Sequence, residues 1–487
     1  MNYCSTRNNA LEFTFSQAVL MGLAPDGGLF VPKALPTFDF EDERWSAFTY
    51  QETAFEVFKT FMSDFSEDQL SRCISAAYDD KFDEQGIAPV NHVEELNLLE
   101  LFHGRTLAFK DLALSILPHL MHEASKIQGN RNKIAILTAT SGDTGKAALE
   151  GFSDAVGTEI IVFYPRDGVS EIQKLQMKTQ TGSNVHVYGI NGNFDDAQRQ
   201  VKRMLTDESF AQGLIKEGVQ LSSANSINIG RLIPQMVYYI HAYFQMVSAG
   251  KLRAGEPLNV SVPTGNFGNI LAAYYAKECG LPIGKLMCAS NQNHVLTEFF
   301  DSGIYDTHRE FHCTISPSMD ILVSSNLERF LYQISEGDCL KIERWMGDLH
   351  RTGSFKLDKS MLKEDFYAGF ASDEETREAI SSVFSTHGYM MDPHTAVAYH
   401  VTKKEPAFLK EPLLIVSTAS PFKFSEAVLE AIEADSDGSI KTLSEIMAQP
   451  VPSQIALLHK QPILHDTSCE VEEMQVVVRD LLMEVKS

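Results

Sequence analysis

Lys110 lies between two apolar runs in the stretch FHGRTLAFKD, which occupies residues 102–111. Burying an unpaired ammonium costs several kcal/mol, so most lysines keep their charge in water. A lysine in apolar surroundings has a lowered pKa instead, and its amine can act as a nucleophile of the Schiff-base type. The sequence therefore predicts a reactive lysine at this position.

A glycine-containing loop, TGNFGN at residues 264–269, follows a strand pattern and precedes a helix pattern. Gly265 and Gly268 let the backbone approach a ligand closely, and the N–H groups at the helix start can hold a phosphate. The Lys-Ser/Thr pair of a Walker A loop is missing, so a nucleoside triphosphate is not indicated. From these residues alone, the loop is either a phosphate site or a tight strand-to-helix turn.

Two further polar loops lie near other strand ends. TSGDTGK, at residues 140–146, fails the Walker A spacing, and its hydroxyls suit either an anionic ligand or a simple helix cap. SANSINIGR, at residues 223–231, offers Asn225, Ser226 and Arg231. Arginine is a natural bidentate partner of phosphate or carboxylate, although a single arginine is more often a surface charge.

Taken together, the lysine and the three loops match the requirements of one cofactor. A Schiff-base lysine, a phosphate loop and a second anion site are what pyridoxal phosphate with an amino-acid substrate requires. On the residues alone, the alternative that the three loops serve unrelated ends stays open.

The elements that must position these residues alternate between strand and helix from about residue 98 onward. The strand patterns KIAILTAT, LNVSVP and LLIVSTASP are each followed by a polar loop and a helix pattern. This alternation predicts an α/β fold with parallel sheets covered by helices on both faces. Ligands of such sheets bind beyond the carboxyl ends of the strands.

We expect three units along the chain. Residues 1–97 form a small N-terminal domain that contains a helix over YQETAFEVFKTFMSDF. Residues 98–230 hold the lysine segment and a smaller α/β domain, and residues 231–487 form a larger α/β domain that binds the cofactor. The charged stretch at about 335–375 is predicted to be a helical insertion, and MQVVVRDLLMEVKS is predicted to be a C-terminal helix.

The composition excludes several classes of protein. The 487 residues carry a formal charge of −24, which disfavours nucleic acid and anionic membranes as partners. The seven cysteines contain no C-x-x-C pair, so we expect reduced thiols and no metal site. No signal pattern and no run of about eighteen apolar residues occurs, so we expect a cytoplasmic protein.

Several stretches closely resemble the motifs of threonine synthases of the long, microbial type: ELFHGRTLAFKD, TATSGDTG, SANSINIGR, VPTGNFGN and DPHTAVAY. The similarity runs in the same order from about residue 5 to about residue 432. It implies a fold of the tryptophan-synthase-β type (fold type II), with two open, twisted, mostly parallel sheets and a small N-terminal domain. It also implies pyridoxal 5'-phosphate as the cofactor.

The resemblance implies a role for each matching residue. Lys110 matches the lysine that carries the cofactor and later moves protons. Asp143 matches the residue beside the cofactor's phenolic oxygen, and Thr418 the hydroxyl residue that faces the pyridine nitrogen. The residues that match the cofactor-phosphate loop are Gly265, Asn266, Phe267, Gly268 and Asn269. Those that match the substrate-anion contacts are Ser141, Thr144, Asn225, Ser226 and Arg231.

The sequence departs from the family pattern at four positions. Arg105 replaces the usual proline of HGPT, Ser417 and Ser420 replace the glycine and histidine of GTAHP, and Asn269 replaces a common aspartate. Arg105 is either a surface charge of the loop or an extra phosphate contact. Animal threonine-synthase-like relatives also vary at HGPT, and some of them act as lyases on phosphorylated amino acids.

The resemblance implies a threonine synthase that converts O-phospho-L-homoserine and water to L-threonine and phosphate. The alternative is a phospho-lyase that converts O-phosphothreonine or O-phosphoserine to a 2-oxo acid, ammonia and phosphate. A third reading, a binding protein without catalysis, is disfavoured because it has no use for Lys110 in its apolar setting. The expected partner is a small phosphorylated amino acid, and the expected state is a monomer or a homodimer.

Overall fold

The computed structural model describes residues 1–83, 86–167, 169–362, 364–434 and 438–484. Within these ranges the strands are β1 Tyr3–Ser5, β2 Phe30–Pro32, β3 Val90–Val93, β4 Leu96–Glu100, β5 Lys133–Ala139, β6 Thr158–Pro165, β7 Val185–Asn191, β8 Val219–Ser223, β9 Leu258–Pro263, β10 Ile283–Ser290, β11 Ile304–Asp306, β12 Ser354–Lys356, β13 Phe366–Phe370, β14 Leu413–Ser417 and β15 Thr467–Glu470.

The α-helices within the same ranges are α1 Phe15–Met21, α2 Tyr50–Phe61, α3 Glu67–Ala77, α4 Asp111–Leu114, α5 Leu117–Ile127, α6 Asp143–Phe152, α7 Glu171–Lys178, α8 Phe194–Thr206, α9 Glu208–Lys216, α10 Ile229–Ser248, α11 Gly268–Glu278, α12 Val295–Ser302, α13 Leu327–Ile334, α14 Cys339–Thr352, α15 Asp373–His387, α16 Pro393–Lys403, α17 Ser425–Ala431, α18 Ile440–Met447, α19 Ser453–Ala456 and α20 Met474–Glu484.

Two parallel-rich sheets form the framework. The larger has the strand order β13-β10-β9-β14-β4-β3, and its only antiparallel pair among the described strands is β3 with β4. The smaller has the order β15-β7-β6-β5-β8 and is parallel throughout. Every residue of β6 and β9 is buried, as expected for apolar strands with helices on both faces. The predicted α/β class is confirmed.

The N-terminal segment is a small antiparallel and helical unit. Strands β1 and β2 pair antiparallel, and α2 begins with a capping box in which Thr49 and Glu52 satisfy each other's backbone N–H groups. This helix, predicted over YQETAFEVFKTFMSDF, is confirmed. It packs against the long buried helix α10, so the N-terminal segment shares the main hydrophobic core.

The sheets take strands from across the predicted unit boundaries, which stay a prediction. Strands β3 and β4 lie at the boundary placed at residue 97, yet both belong to the larger sheet. Strand β15 comes from the C-terminal unit and pairs with β7 of the smaller sheet. Long-range parallel pairing of this kind leaves no local signal in the sequence, because its partners are hundreds of residues apart.

The predicted helical insertion at about 335–375 is wrong in one respect. Helix α14 is present, but β13 follows it and becomes an edge strand of the larger sheet beside β10. The strand is short and only Phe366 is buried, so its sequence lacks a strong strand pattern. The C-terminal helix is present as α20, with Met474, Val478 and Leu482 in the core, and residues 485–487 of the predicted stretch lie outside the described ranges. Among the described residues, no helix is both long enough and apolar enough to cross a membrane.

Candidate active site

Lys110 lies on a loop that forms hydrogen bonds with the residues just after β14. The Phe109 N–H donates to the Thr418 carbonyl at 2.8 Å, and the Ser420 N–H donates to the Leu107 carbonyl at 3.1 Å. Lys110 immediately precedes α4, and Pro118 is the second residue of α5, where the helical path restarts. A short antiparallel bridge between Ala108 and Ala419, which leaves no local signal in the sequence, therefore holds the lysine.

The ammonium of Lys110 is buried beside one carboxylate. Its Nζ lies 3.5 Å from Asp143 Oδ2, 3.4 Å from Ser318 Oγ and 4.9 Å from the centre of the Phe109 ring. Burial lowers the pKa of Lys110 to about 8, and the cations Lys423 and Arg231 act in the same direction against Asp143. At pH 7 about one-tenth of this group is therefore the neutral amine, far more than for an ordinary lysine.

Asp143, the first residue of α6, is the anionic centre of the site. It accepts hydrogen bonds from Lys423 Nζ, from Gln173 Nε2 at 2.7 Å and from Ser318 Oγ at 2.9 Å. Burial opposes its charge, but the ammonium groups of Lys423 and Lys110 outweigh burial and hold the pKa of Asp143 well below its usual range. The carboxylate therefore stays ionised in a buried place.

The loop at residues 264–269 forms a glycine cradle at the N-terminus of α11. Phe267 adopts a left-handed conformation with φ of 62° immediately before the helix. A Cβ atom at Gly265 would lie 2.9 Å from the Ser318 carbonyl oxygen, so only glycine fits there. The first N–H groups of α11 lack intrahelical partners, as at any helix start, and can bind an anion.

A neighbouring turn holds this cradle in place. The backbone N–H and side-chain Nδ2 of Asn326 each donate to the Asn266 carbonyl at 3.1 Å. Ser325 Oγ donates to Asn266 Oδ1 at 3.1 Å, and Ser324 Oγ donates to the Gly265 carbonyl at 2.8 Å. The carbonyl groups of Gly265 and Asn266 thus accept hydrogen bonds from the turn at residues 324–326.

In the side chain of Asn269, which replaces the family's common aspartate, the oxygen accepts hydrogen bonds and the nitrogen has no partner in the described part of the chain. Its Oδ1 accepts from the hydroxyls of Tyr238 and Tyr239 at 2.5 and 2.6 Å. Its Nδ2 is buried and has no partner within the described part of the chain. A buried donor without a partner costs about 1–3 kcal/mol, which marks this amide as a candidate ligand contact.

Arg231, in the first turn of α10, is buried in the wall of the same cavity. Its side chain makes one hydrogen bond, from Nη1 to the Ala224 carbonyl at 2.6 Å, and its Nε has no partner among the described residues. Burial lowers the pKa of Arg231 to about 10, so the group is still a cation at neutral pH. It is a buried cation in the cavity lining, and its Nε can bind an anionic ligand.

The structure brings most of the predicted residues to one cavity. Those in its lining are Lys110, Thr144, Ser226, Arg231, Gly265, Asn266, Phe267, Gly268, Asn269 and Thr418. Asp143 reaches the cavity through Lys110 and Ser318. Ser141 lies outside the lining, and Asn225 instead clamps β5, exchanging hydrogen bonds with the Ala139 backbone at 3.1 and 2.6 Å.

Three residues of the site were missed or set aside in the sequence analysis. Ser318 bridges Lys110 and Asp143, while Lys423 is fully buried and also donates to the Thr106 carbonyl at 2.9 Å. His394 accepts the Ser318 backbone N–H on Nε2 at 3.2 Å, so its ring proton lies on Nδ1, which contacts Asp392 at 2.7 Å. The histidine of DPHTAVAY was a signal in the sequence, whereas Ser318 and Lys423 have none in their local sequence.

These residues fit a phosphorylated aldehyde cofactor together with an anionic substrate. The glycine cradle can take one phosphate, Lys110 supplies an amine, and Arg231 offers a second anion contact at a distinct place in the wall. The unpaired Asn269 Nδ2 and Arg231 Nε are donors that bound groups can satisfy. Arg105 does not line this cavity and lies 3.3 Å from Glu150 instead.

Comparison with known families agrees with this geometry along most of the chain. The model described as Threonine synthase N terminus matches residues 2–78, and the model of pyridoxal-phosphate dependent enzymes matches residues 91–419. The model described as Threonine synthase, C-terminal, matches residues 395–466.

Individual relatives give the same result. Threonine synthase from Pseudomonas aeruginosa is 38% identical over 88% of this chain and 90% of its own length. Human Threonine synthase-like 1 is 41% identical over 95% of this chain, which spans 63% of the length of that relative. A crystal structure of pyridoxal-phosphate-bound threonine synthase from Brucella melitensis superposes with a TM-score of 0.86 at 35% identity, covering 99% of both chains. The chain therefore belongs to the threonine synthase family of pyridoxal-phosphate dependent enzymes.

Proposed function

We propose that this protein is a threonine synthase that converts O-phospho-L-homoserine and water to L-threonine and phosphate. The observation that carries the proposal is the placement of Lys110. Its amine, with a pKa of about 8, faces the same cavity as the glycine cradle and the unpaired Nε of Arg231. A reactive amine beside two separate anion sites fits a phosphorylated cofactor and a phosphorylated substrate.

In this proposal, the residues around Lys110 hold the cofactor. Lys110 would hold its aldehyde group and residues 265–269 its phosphate, while Asp143 and Thr418 would supply the carboxylate and the hydroxyl for its ring substituents. When bound, pyridoxal phosphate supplies the electron sink that stabilises negative charge at the substrate Cα. The protein contributes orientation, charge and proton transfer.

We assign proton transfer at the substrate Cα to the amine of Lys110. A general base works best when its pKa lies near the working pH, and burial has brought Lys110 to about 8. The Lys423–Asp143 ion pair supports this role, because Asp143 stays anionic and can accept a hydrogen bond from the Lys110 ammonium. Ser318, 3.4 Å from Nζ, is placed to guide that proton.

The substrate phosphate is assigned to the part of the cavity wall that Arg231 lines. Arg231 supplies the charge there, with the hydroxyls of Ser226 and Thr144 beside it in the cavity lining. Charge-assisted hydrogen bonds of this kind contribute roughly 1.5–3 kcal/mol each. For Asn225 and Ser141 the proposed contact with the substrate requires a rearrangement of the loops that carry them.

The cellular compartment, the oligomeric state and the class of partner are also part of the proposal. All seven cysteines are unpaired thiols, which supports a reducing compartment and hence the cytoplasm. We infer a monomer or homodimer of fold type II, acting on a small metabolite and without a nucleic-acid or membrane partner. The formal charge of −24 supports the last point.

The deciding experiment identifies the organic product made from each phosphorylated amino acid. In heavy-oxygen water, O-phospho-L-homoserine should give phosphate and L-threonine that carries solvent oxygen in its hydroxyl group. Lys110→Ala enzyme serves as the blank. Formation of a 2-oxo acid and ammonia from O-phosphothreonine, with no threonine from O-phospho-L-homoserine, would instead establish the phospho-lyase alternative.

A further inference from the structure

A second cavity, of about 520 Å³, is lined in part by Arg105, five residues before Lys110. Its walls come from α6, α7, the residues just before Lys110 and the C-terminal segment at residues 453–462. This volume is in the usual range of small-molecule sites, which is about 300–1,000 Å³. None of the residues assigned above to the cofactor or to the substrate lines it.

The clearest sign of a missing ligand is Gln176 on α7. It is 1% exposed and lines the cavity, yet neither its Nε2 nor its Oε1 has a partner in the described part of the chain. An amide buried with both ends unsatisfied costs about 1–3 kcal/mol for each group. Such an amide is complementary to a ligand that carries both a donor and an acceptor.

The charged residues that line the cavity are Lys81, Arg105, Lys146, Asp80 and Glu150. Lys81 is already paired with Asp79, at 2.6 Å. Glu150 contacts both Arg105, at 3.3 Å, and Lys146, at 3.0 Å, so one carboxylate is shared by two cations. In a chain of formal charge −24, two cations that share a single carboxylate favour a small anion.

We propose that this cavity binds an α-amino acid with a second carboxylate and acts as an effector site. The exposed Asp80 can take the ligand's ammonium, Arg105 and Lys146 its carboxylates, and Gln176 can both donate and accept. An amino acid with an acidic side chain matches this lining better than a neutral amino acid, because it brings net negative charge. It also matches better than a bare phosphate, which offers no ammonium to Asp80.

The position of the cavity gives the ligand a route to the catalytic groups. Lys146 lies one turn after Asp143 on α6, and Gln176 lies one turn after Gln173 on α7. Gln173 donates to Asp143 at 2.7 Å, so both helices that contact the ligand also hold the catalytic carboxylate. Arg105 adds a third connection, through the loop that ends at Lys110.

Calorimetric titration of the cofactor-loaded enzyme tests the site with two matched pairs of probes. L-aspartate and L-glutamate should bind, whereas L-asparagine and L-glutamine, of the same shape without the second charge, should bind at least about tenfold more weakly. Inorganic phosphate should also bind more weakly than the acidic amino acids. The same titration followed by visible absorbance should show a change in the cofactor band as the acidic amino acid saturates.

Two variants and one control locate the binding. Gln176→Leu and Arg105→Gln should each weaken binding of the acidic amino acids at least about tenfold, with basal turnover unchanged. Lys174→Gln, which removes a cation from the same helix outside the cavity lining, should leave binding unchanged. Gln176→Leu should also melt no lower than the parent, because it removes an unsatisfied buried amide.

Several results would overturn the proposal. One is the absence of binding by both acidic amino acids at millimolar concentration, and another is binding that Gln176→Leu leaves intact. Phosphate binding as tight as that of the acidic amino acids would reject the amino-acid assignment. Binding without any change in the cofactor band would reject the effector role. None of these outcomes depends on which reaction the enzyme catalyses.

Discussion

Two buried arginines donate hydrogen bonds to carbonyls of the SANSINIGR loop, and they differ in how many of their nitrogens form hydrogen bonds. Arg231 is 2% exposed and holds the Ala224 carbonyl, and Arg329 is fully buried and holds the carbonyls of Ser226 and Ile227. Burial lowers the pKa of each arginine to about 10. The two groups thus share a setting and a charge.

Their hydrogen bonds set them apart. Arg329 also donates from Nε to the Phe30 carbonyl at 2.9 Å and from Nη1 to the Asn326 side chain, so every nitrogen of its guanidinium is engaged. Arg231 leaves Nε without a partner in the described ranges. The engaged arginine joins β2, the loop and the turn behind the glycine cradle, whereas the other faces the cavity.

This difference separates residues that hold the fold from residues that hold a ligand. Buried polar groups in folded proteins are nearly always paired, so an unpaired one at a cavity wall indicates a group that pairs when a ligand binds. Lys110, with only long contacts of 3.4 and 3.5 Å, and Asn269 belong with Arg231. Asn326 belongs with Arg329. The comparison makes predictions for both classes.

The largest effect is expected for Lys110→Ala. This variant should lose turnover and the visible absorbance of the bound cofactor, because no other amine is assigned to the aldehyde. Alanine is a good helix residue and the position precedes α4, so the melting temperature should change little. Steady-state assays, absorbance spectra and thermal unfolding check the three expectations, and turnover near the parental rate would remove Lys110 from its assigned role.

Arg329→Gln should have the next largest effect, mainly on the free energy of unfolding. Several buried carbonyls lose their donor together, and each buried group left unsatisfied costs about 1–3 kcal/mol. We expect the free energy of unfolding to fall by roughly 3 kcal/mol or more, with weaker cofactor binding because the cradle loses its support through Asn326. Urea unfolding and cofactor titration measure both quantities.

A matched surface variant controls for the lost charge. Arg344→Gln, on α14, removes a cation that makes no described ion pair and should leave stability and cofactor affinity within about 0.5 kcal/mol of the parent. Arg329→Gln enzyme as stable as this control would show that hydrogen-bond saturation does not identify the residues that hold the fold.

The class of fold and most of the site could be predicted from the sequence because their signals are local. Glycine-rich loops after apolar strands, and a lysine between apolar runs, can be recognised in windows of ten residues. Ser318 and Lys423 could not, because a serine or lysine becomes functional here only when distant segments meet at Asp143. Strand β15 was missed for the same reason, since its pairing partner β7 lies far away in the chain.

Arg231→Ala separates the two anion sites. Loss of its charge-assisted hydrogen bonds to the substrate phosphate, each worth roughly 1.5–3 kcal/mol, should lower kcat/KM by about tenfold to a hundredfold. Cofactor affinity should hardly change, because the cofactor phosphate is assigned to residues 265–269. Measuring both on one preparation is decisive: weaker cofactor binding with unaltered substrate kinetics would mean that the two phosphate sites are interchanged.

The smallest effect is expected at His103, a fully engaged group like Arg329. Its Nδ1 lies 2.9 Å from Asp83 and its Nε2 lies 3.0 Å from Glu100, and although burial opposes the charge, these carboxylates raise the pKa of His103 to about 9 from an ordinary 6.5. Because the folded pKa is the higher one, this histidine stabilises the fold fully below pH 6.5 and loses that contribution as the pH rises through 9. We expect a contribution of about 1 kcal/mol, since Asp83 is exposed and screened by solvent.

Urea unfolding between neutral and alkaline pH should show this decline in the parent and in His122→Gln, an exposed control, but a flatter profile in His103→Gln. Equal slopes in all three proteins would show that the hydrogen bonds of His103 do not depend on its charge.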